Sequence, residues 1–147
     1  MTPEVVFVPI GLGSGICACV AARIIGVVSA HATAYLDSFR AGRPTEAPVT
    51  TRLADGLACR VPDAEALAGI RREVDDIVAV TDAEVAAAMR ALFADTHNVA
   101  EGAGAAATAA AWQQRGRWSG RRIGLLTSGG NVDSDVFARV LGESLPG

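Results

Sequence analysis

Two glycine-rich turns bracket this chain, and both are built to hold charge with backbone groups. Gly11-Leu12-Gly13-Ser14-Gly15 follows the apolar run Val5-Val6-Phe7-Val8. Ser128-Gly129-Gly130-Asn131-Val132-Asp133 follows a second apolar stretch near the end. A strand, a Gly-x-Gly-x-Gly turn and a helix make an anion site. Glycines let the backbone approach a phosphate, and free amides with the helix dipole stabilise its charge. The second turn offers a hydroxyl, Ser128, at a matching place. None of the 13 basic residues is lysine; all are arginine. Chemistry that needs a neutral amine is not available from these side chains, because a guanidinium stays charged.

The first turn alone would suit a dinucleotide, a mononucleotide or pyridoxal phosphate. A dinucleotide site requires an acid about 20 positions on, at the end of the second strand. That region is Val27-Val28-Ser29-Ala30-His31, with no acid. A Walker-type loop requires Gly-Lys-Ser/Thr, and there is no lysine. A tight turn without a ligand remains the plain alternative. If the strands before the two turns are neighbours, both turns open on one crevice, outside the carboxyl ends of the strands.

The elements that would position these turns alternate. Val5 to Val8 reads as a buried parallel strand ended by Pro9. A helix is expected from about Gly15 to Arg23, a strand over Ile24–Val28, and a helix from His31 to Ala41 stopped by Gly42. Residues 42–62, with Pro44, Pro48 and Pro62, form a long irregular connection, of a length that in a compact domain is usually either functional or a misassigned element. Asp63 to Glu73 reads as a helix and Ile77 to Val80 as a strand. Thr81 and Glu84 spell a capping box for a helix to about Asp95. An alanine-rich helix covers Gly102 to Arg115, a strand Arg122 to Thr127, and a last helix Ser134 to Leu141. The fold class is α/β, a parallel sheet flanked by helices.

At 147 residues the chain is one domain's worth, and half of it is hydrophobic. A net charge of -3 with no basic run argues against nucleic acid as a partner. No stretch reaches the roughly 18 to 20 apolar residues that span a bilayer, and Met1-Thr2-Pro3-Glu4 lacks a signal peptide's basic start. A cytoplasmic protein is expected. The odd cysteine count, Cys17, Cys19 and Cys59, suits a reducing compartment. Cys17 and Cys19 would point to nearly opposite sides of a helix, so they read as small buried hydrophobes rather than shared metal ligands.

Five blocks in order give the sequence a specific likeness. Val6-Phe7-Val8-Pro9-Ile10-Gly11-Leu12-Gly13-Ser14-Gly15 resembles the strand and tetraglycine phosphate loop of the threonine dehydratase and serine racemase group of fold-type II pyridoxal-phosphate enzymes. Leu53-Ala54-Asp55-Gly56-Leu57-Ala58 resembles that group's Ala-Asp-Gly segment, and Val74 to Glu84 its following strand and capped helix. Glu101-Gly102-Ala103-Gly104-Ala105-Ala106 resembles its Glu-Pro-Ala-Gly-Ala-Ala helix start, and Leu126 to Asp133 its ring-contact motif. The resemblance implies a partial large domain of the tryptophan synthase beta-like fold, with residues 1–147 as an incomplete C-terminal cofactor-binding domain.

By the same resemblance, the backbone amides of Gly11, Leu12, Gly13, Ser14 and Gly15 would hold the phosphate of pyridoxal 5'-phosphate. The Ser128 hydroxyl would face its pyridine nitrogen, and Gly56 and Glu101 would lie close by. Two plainer roles compete: Ser128 as a cap of the last helix, and Glu101 as an acid favoured by a helix dipole.

The departures from the group's pattern matter as much. The lysine and the substrate-carboxylate loop belong to the N-terminal half, which the sequence does not contain. Arg23 runs straight into Ile24 without turn residues, which suggests a shortened crossover. The divalent-metal positions of racemase-like members fall on Val28 and Ala34, so no such metal is expected. Leu12 and Ser14 replace two glycines of the phosphate loop. No regulatory domain is expected after Gly147.

The complete enzyme would convert a small hydroxy amino acid, threonine or serine, into a 2-oxo acid and ammonia. The chain alone is expected to be inactive. A noncatalytic module that binds phosphate or the cofactor is the alternative. Self-association, or pairing with the missing N-terminal half, is expected from an incomplete sheet.

Overall fold

A computed structural model describes residues 2–11 and 23–142. Four strands form one sheet: β1 (Val5–Pro9), β2 (Arg23–Ser29), β3 (Asp76–Val80) and β4 (Ile123–Leu125). Their spatial order is β3-β2-β1-β4, and every pair is parallel. Five helices complete the described chain: α1 (Ala34–Ala41), α2 (Ala64–Glu73), α3 (Asp82–Thr96), α4 (Gly102–Gln113) and α5 (Ser134–Leu141). Among the described residues no helix is long and apolar enough to cross a membrane.

Side chains alternate across a strand, so β1 feeds two cores. Val5 and Phe7 join Ile25, Val27 and Val80 under α3 and α4. Val6 and Val8 join Ile24, Val28 and Ile77 under α1 and α2, with Tyr35, Leu36, Leu67 and Ile70. The sheet is therefore covered on both faces, which explains why its inner strands read as unbroken apolar runs. Helix α4 is buried from Gly102 to Ala111. A helix apolar all round must be interior, and its methyl-sized side chains let α3 and the sheet close in on both flanks.

Local signals set most boundaries. The Thr81 hydroxyl accepts from the Glu84 amide at 3.2 Å, and the Glu84 carboxylate accepts from the Thr81 amide at 2.8 Å, the reciprocal box expected at the start of α3. The Asp63 carboxylate accepts from the Ala66 amide and starts α2. Gly42, at φ +74°, ends α1 in the left-handed region.

Three expected boundaries move. Arg23 is not helical; it opens β2 opposite Val5, with its amide donating to the Glu4 carbonyl. The helix expected from about Gly15, with Cys17 and Cys19, lies otherwise outside the described residues. Helix α1 starts at Ala34 rather than His31, because the Ser29 hydroxyl accepts from the His31 amide and its carbonyl from Ala32, which holds a turn there. Strand β4 is shorter than expected. It follows β1 only from Val5 to Phe7, its ladder closing with the Leu126 amide on the Phe7 carbonyl, before residues 127–130 turn away.

Cys59 is free and buried, and burial pushes its thiol above the usual range. The capping box supplies a test of the fold. Thr81→Ala is expected to cost about 1 kcal/mol of unfolding free energy, read as a lower urea midpoint with an unchanged slope.

Candidate functional site

The sheet changes direction at β1. From β1 the chain steps to β2 and then β3 on one side, with α1 and α2 on one face. It then returns to β4 on the other side of β1, with α3 and α4 on the opposite face. The strand order thus reverses between the neighbours β1 and β4, and a switch point of this kind opens a crevice outside the carboxyl ends of the strands. Gly11 leaves β1 at that point, and Ser128-Gly129-Gly130 leaves β4 there.

The walls of this crevice are main chain. A Cβ on Gly11 would overlap the Gly56 carbonyl oxygen. A Cβ on Gly56 would come within 2.7 Å of the Ala103 methyl, and one on Gly102 would overlap the Leu53 carbonyl. A Cβ on Gly104 would lie 2.5 Å from the Gly129 oxygen and 2.7 Å from that of Ser128. Gly129, at φ +88°, stands against Glu101, whose carboxylate occupies the place of its missing side chain. Real Cβ atoms do not make such contacts, so four segments meet here only because glycine occupies each crossing.

Of the expected site residues, Gly11, Gly56, Glu101 and Ser128 converge on this crevice. Leu12, Gly13, Ser14 and Gly15 lie outside the described residues. Glu101 is the N-cap of α4, where the dipole favours an acid, but its side chain bonds no cap amide. Its own amide donates to the Gly129 carbonyl at 3.3 Å, which ties α4 to the second turn. Ser128 is exposed and does not cap α5: the N-cap there is Asp133. That removes one plain role for Ser128. The positions Val28 and Ala34 lie in β2 and at the first residue of α1, both buried and apolar.

A cleft of about 130 Å³ opens beside Gly56 and Glu101, rimmed by Arg52, Asn131, Asp133 and Val136. It is small beside the roughly 300–1,000 Å³ of typical ligand pockets, so it suits water or one small group. Gly104 and Gly129 carry the crossing; the second lies in a turn legible in sequence, whereas the first is hidden in an alanine-rich helix. The crevice fits a phosphorylated cofactor in kind: close backbone at the end of β1, and a hydroxyl and a carboxylate at the end of β4.

A parallel sheet with a glycine-walled crevice at its switch point defines an α/β protein of the cofactor-phosphate-binding class. The chain belongs to the pyridoxal-phosphate dependent enzyme family, whose sequence profile matches residues 1–129. It is 32% identical to an L-threonine ammonia-lyase of Thermotoga maritima over 97% of its own length. It is 37% identical to an L-threonine ammonia-lyase of Geobacter sulfurreducens over 95%. The chain spans 37% of the length of each of these curated relatives. Maize serine racemase superposes with a TM-score of 0.81 at 28% identity, covering 97% of this chain and 48% of that one. The sheet and its flanking helices are thus those of the tryptophan synthase beta-like fold.

The crossings yield a paired test. Gly129→Ala combines a positive φ with overlap on Glu101, whereas Gly69, inside α2, has open space where its Cβ would be. Gly129→Ala is expected to destabilise by more than about 1 kcal/mol, and Gly69→Ala to stabilise by about 0.5–1 kcal/mol, both read by thermal melting.

Proposed function

We propose that this chain is the part of a pyridoxal-phosphate dependent ammonia-lyase that seats the cofactor, in an enzyme acting on a small hydroxy amino acid such as threonine or serine. The observation that carries the reading is the pairing of β1 with β4, which sets Gly11 and Ser128 at one crevice. Likeness to two threonine ammonia-lyases supports the substrate class.

When bound, the cofactor supplies an electron sink for bonds at the amino acid's α-carbon. The residues of this chain do the holding. Amides of residues 11–15 would take the phosphate. Gly56 would form the floor under that loop. The Ser128 hydroxyl would meet the pyridine nitrogen as a neutral partner, which suits an elimination of modest electron demand. Glu101 would stand behind the second turn and keep Gly129 in place. The sequence has no lysine, so the amine that such chemistry uses would come from another segment or chain. The same lack supports a second reading, a noncatalytic module that binds the cofactor by its phosphate. No metal is assigned, and the cytoplasm is the compartment proposed.

A titration decides. Pyridoxal 5'-phosphate added to the 147-residue chain is expected to bind reversibly, with inorganic phosphate as a competitor, and L-threonine is expected to give no 2-oxobutyrate. Turnover that follows the chain through purification would overturn the expected inactivity. Absence of cofactor binding would overturn both readings.

A further inference from the structure

The connection between α1 and α2 carries Gly56, yet it has no strand or long helix to hold it. Its Thr51–Gly56 end is held by a side chain far away in sequence. Asp82, the first residue of α3, accepts the Thr51 hydroxyl on Oδ1 at 2.7 Å and the Arg52 amide on Oδ2 at 2.8 Å, across separations of 31 and 30 residues. Thr51 Oγ1 in turn accepts from the Ala54 amide at 3.1 Å and the Leu53 amide at 3.4 Å. One hydroxyl thus ties a carboxylate to the first turn of the Ala54-Asp55-Gly56 segment. The Ala54 carbonyl accepts from the Leu57 amide at 2.9 Å and closes that segment. Ala54 and Leu57 are both fully buried, so Gly56 hangs between two fixed points. Its carbonyl then lies where a Gly11 side chain would be.

We infer that Thr51 and Asp82 are positioning residues for the cofactor: acting through Gly56, they set the height of the floor on which the phosphate loop begins at Gly11. This rests on the cofactor reading above. The Asp82 carboxylate is suited to the task because it sits in the first turn of α3, where the helix dipole favours negative charge. Both of its oxygens accept from the connection, so it fixes orientation as well as distance. A neutral amide at 82 could accept on one atom only.

The test separates positioning from general support of the loop. Ser38 anchors the other end of the same connection: its buried hydroxyl accepts from the Thr45 amide at 2.8 Å and donates to the Thr45 carbonyl at 3.2 Å. Thr51→Val, Thr51→Ser, Asp82→Asn and Ser38→Ala chains are titrated with pyridoxal 5'-phosphate and melted in parallel. Thr51→Val is expected to bind about tenfold more weakly, Asp82→Asn to fall between it and the parent, and Thr51→Ser to bind as the parent does. Ser38→Ala is expected to lower the melting temperature as Thr51→Val does and leave affinity unchanged. Equal loss of affinity in Ser38→Ala and Thr51→Val would overturn the inference, as would parental affinity in Thr51→Val. If the parent chain does not bind the cofactor, the cofactor reading fails first and this role falls with it.

Discussion

The contact on which this architecture turns is between two backbones. The Gly56 carbonyl rests on the α-carbon of Gly11, at a distance that no other residue type would permit. The same exclusion of Cβ atoms recurs where Gly102 meets Leu53, where Gly104 meets Ser128 and Gly129, and where Gly129 meets Glu101. Glycine costs conformational entropy in a helix or turn. Here that cost is offset by closeness: four distant segments reach one crevice because no side chain stands between them at these crossings. Helix α4 extends the logic. Its alanines bring a helix axis close to both α3 and the sheet, so its first turn can deliver Glu101 to the exit of β4.

Strand β1 transmits this geometry to the rest of the molecule. It is hydrogen-bonded on both sides, to β2 and β4, and its alternate side chains enter two separate cores. A displacement of β1 would disturb both faces of the sheet and both turns together. Strand β4 is held from one side only within this sheet, and Ile123, Leu125 and Leu126 keep more than a third of their surface in solvent.

What could be read from sequence was what is local. The Thr81–Glu84 box, the Asp63 cap and the Gly42 stop each involve residues a few positions apart, and each marks a helix end where expected. The α/β class followed from apolar runs alternating with helical stretches. Strand order did not, because nothing in Val5–Pro9 says which strand lies beside it; only the likeness to a family placed the two turns together. The start of α1 was misread because a single hydroxyl, Ser29, holds a turn that helix propensity does not foresee. Asp82 is an acid of a helix's first turn, and its contact with Thr51 depends on a fold that brings residues 31 positions apart together, which no local pattern announces. Gly104, inside an alanine-rich helix, is a point of close approach to the second turn, which only the fold reveals.

A cradle made of main chain has a consequence for how such a protein can change. Side chains are the part of a protein that heredity can edit, and at the closest crossings of this crevice glycine leaves few of them, the Glu101 carboxylate among these. Substitution at Gly11, Gly102, Gly104 or Gly129 adds atoms to occupied space, so it spoils the pocket rather than reshaping it. Sequence change is instead open in the cleft beside Gly56 and Glu101, where Arg52, Asn131 and Val136 present editable groups. The main-chain floor is thereby insulated from variation in the side chains around it.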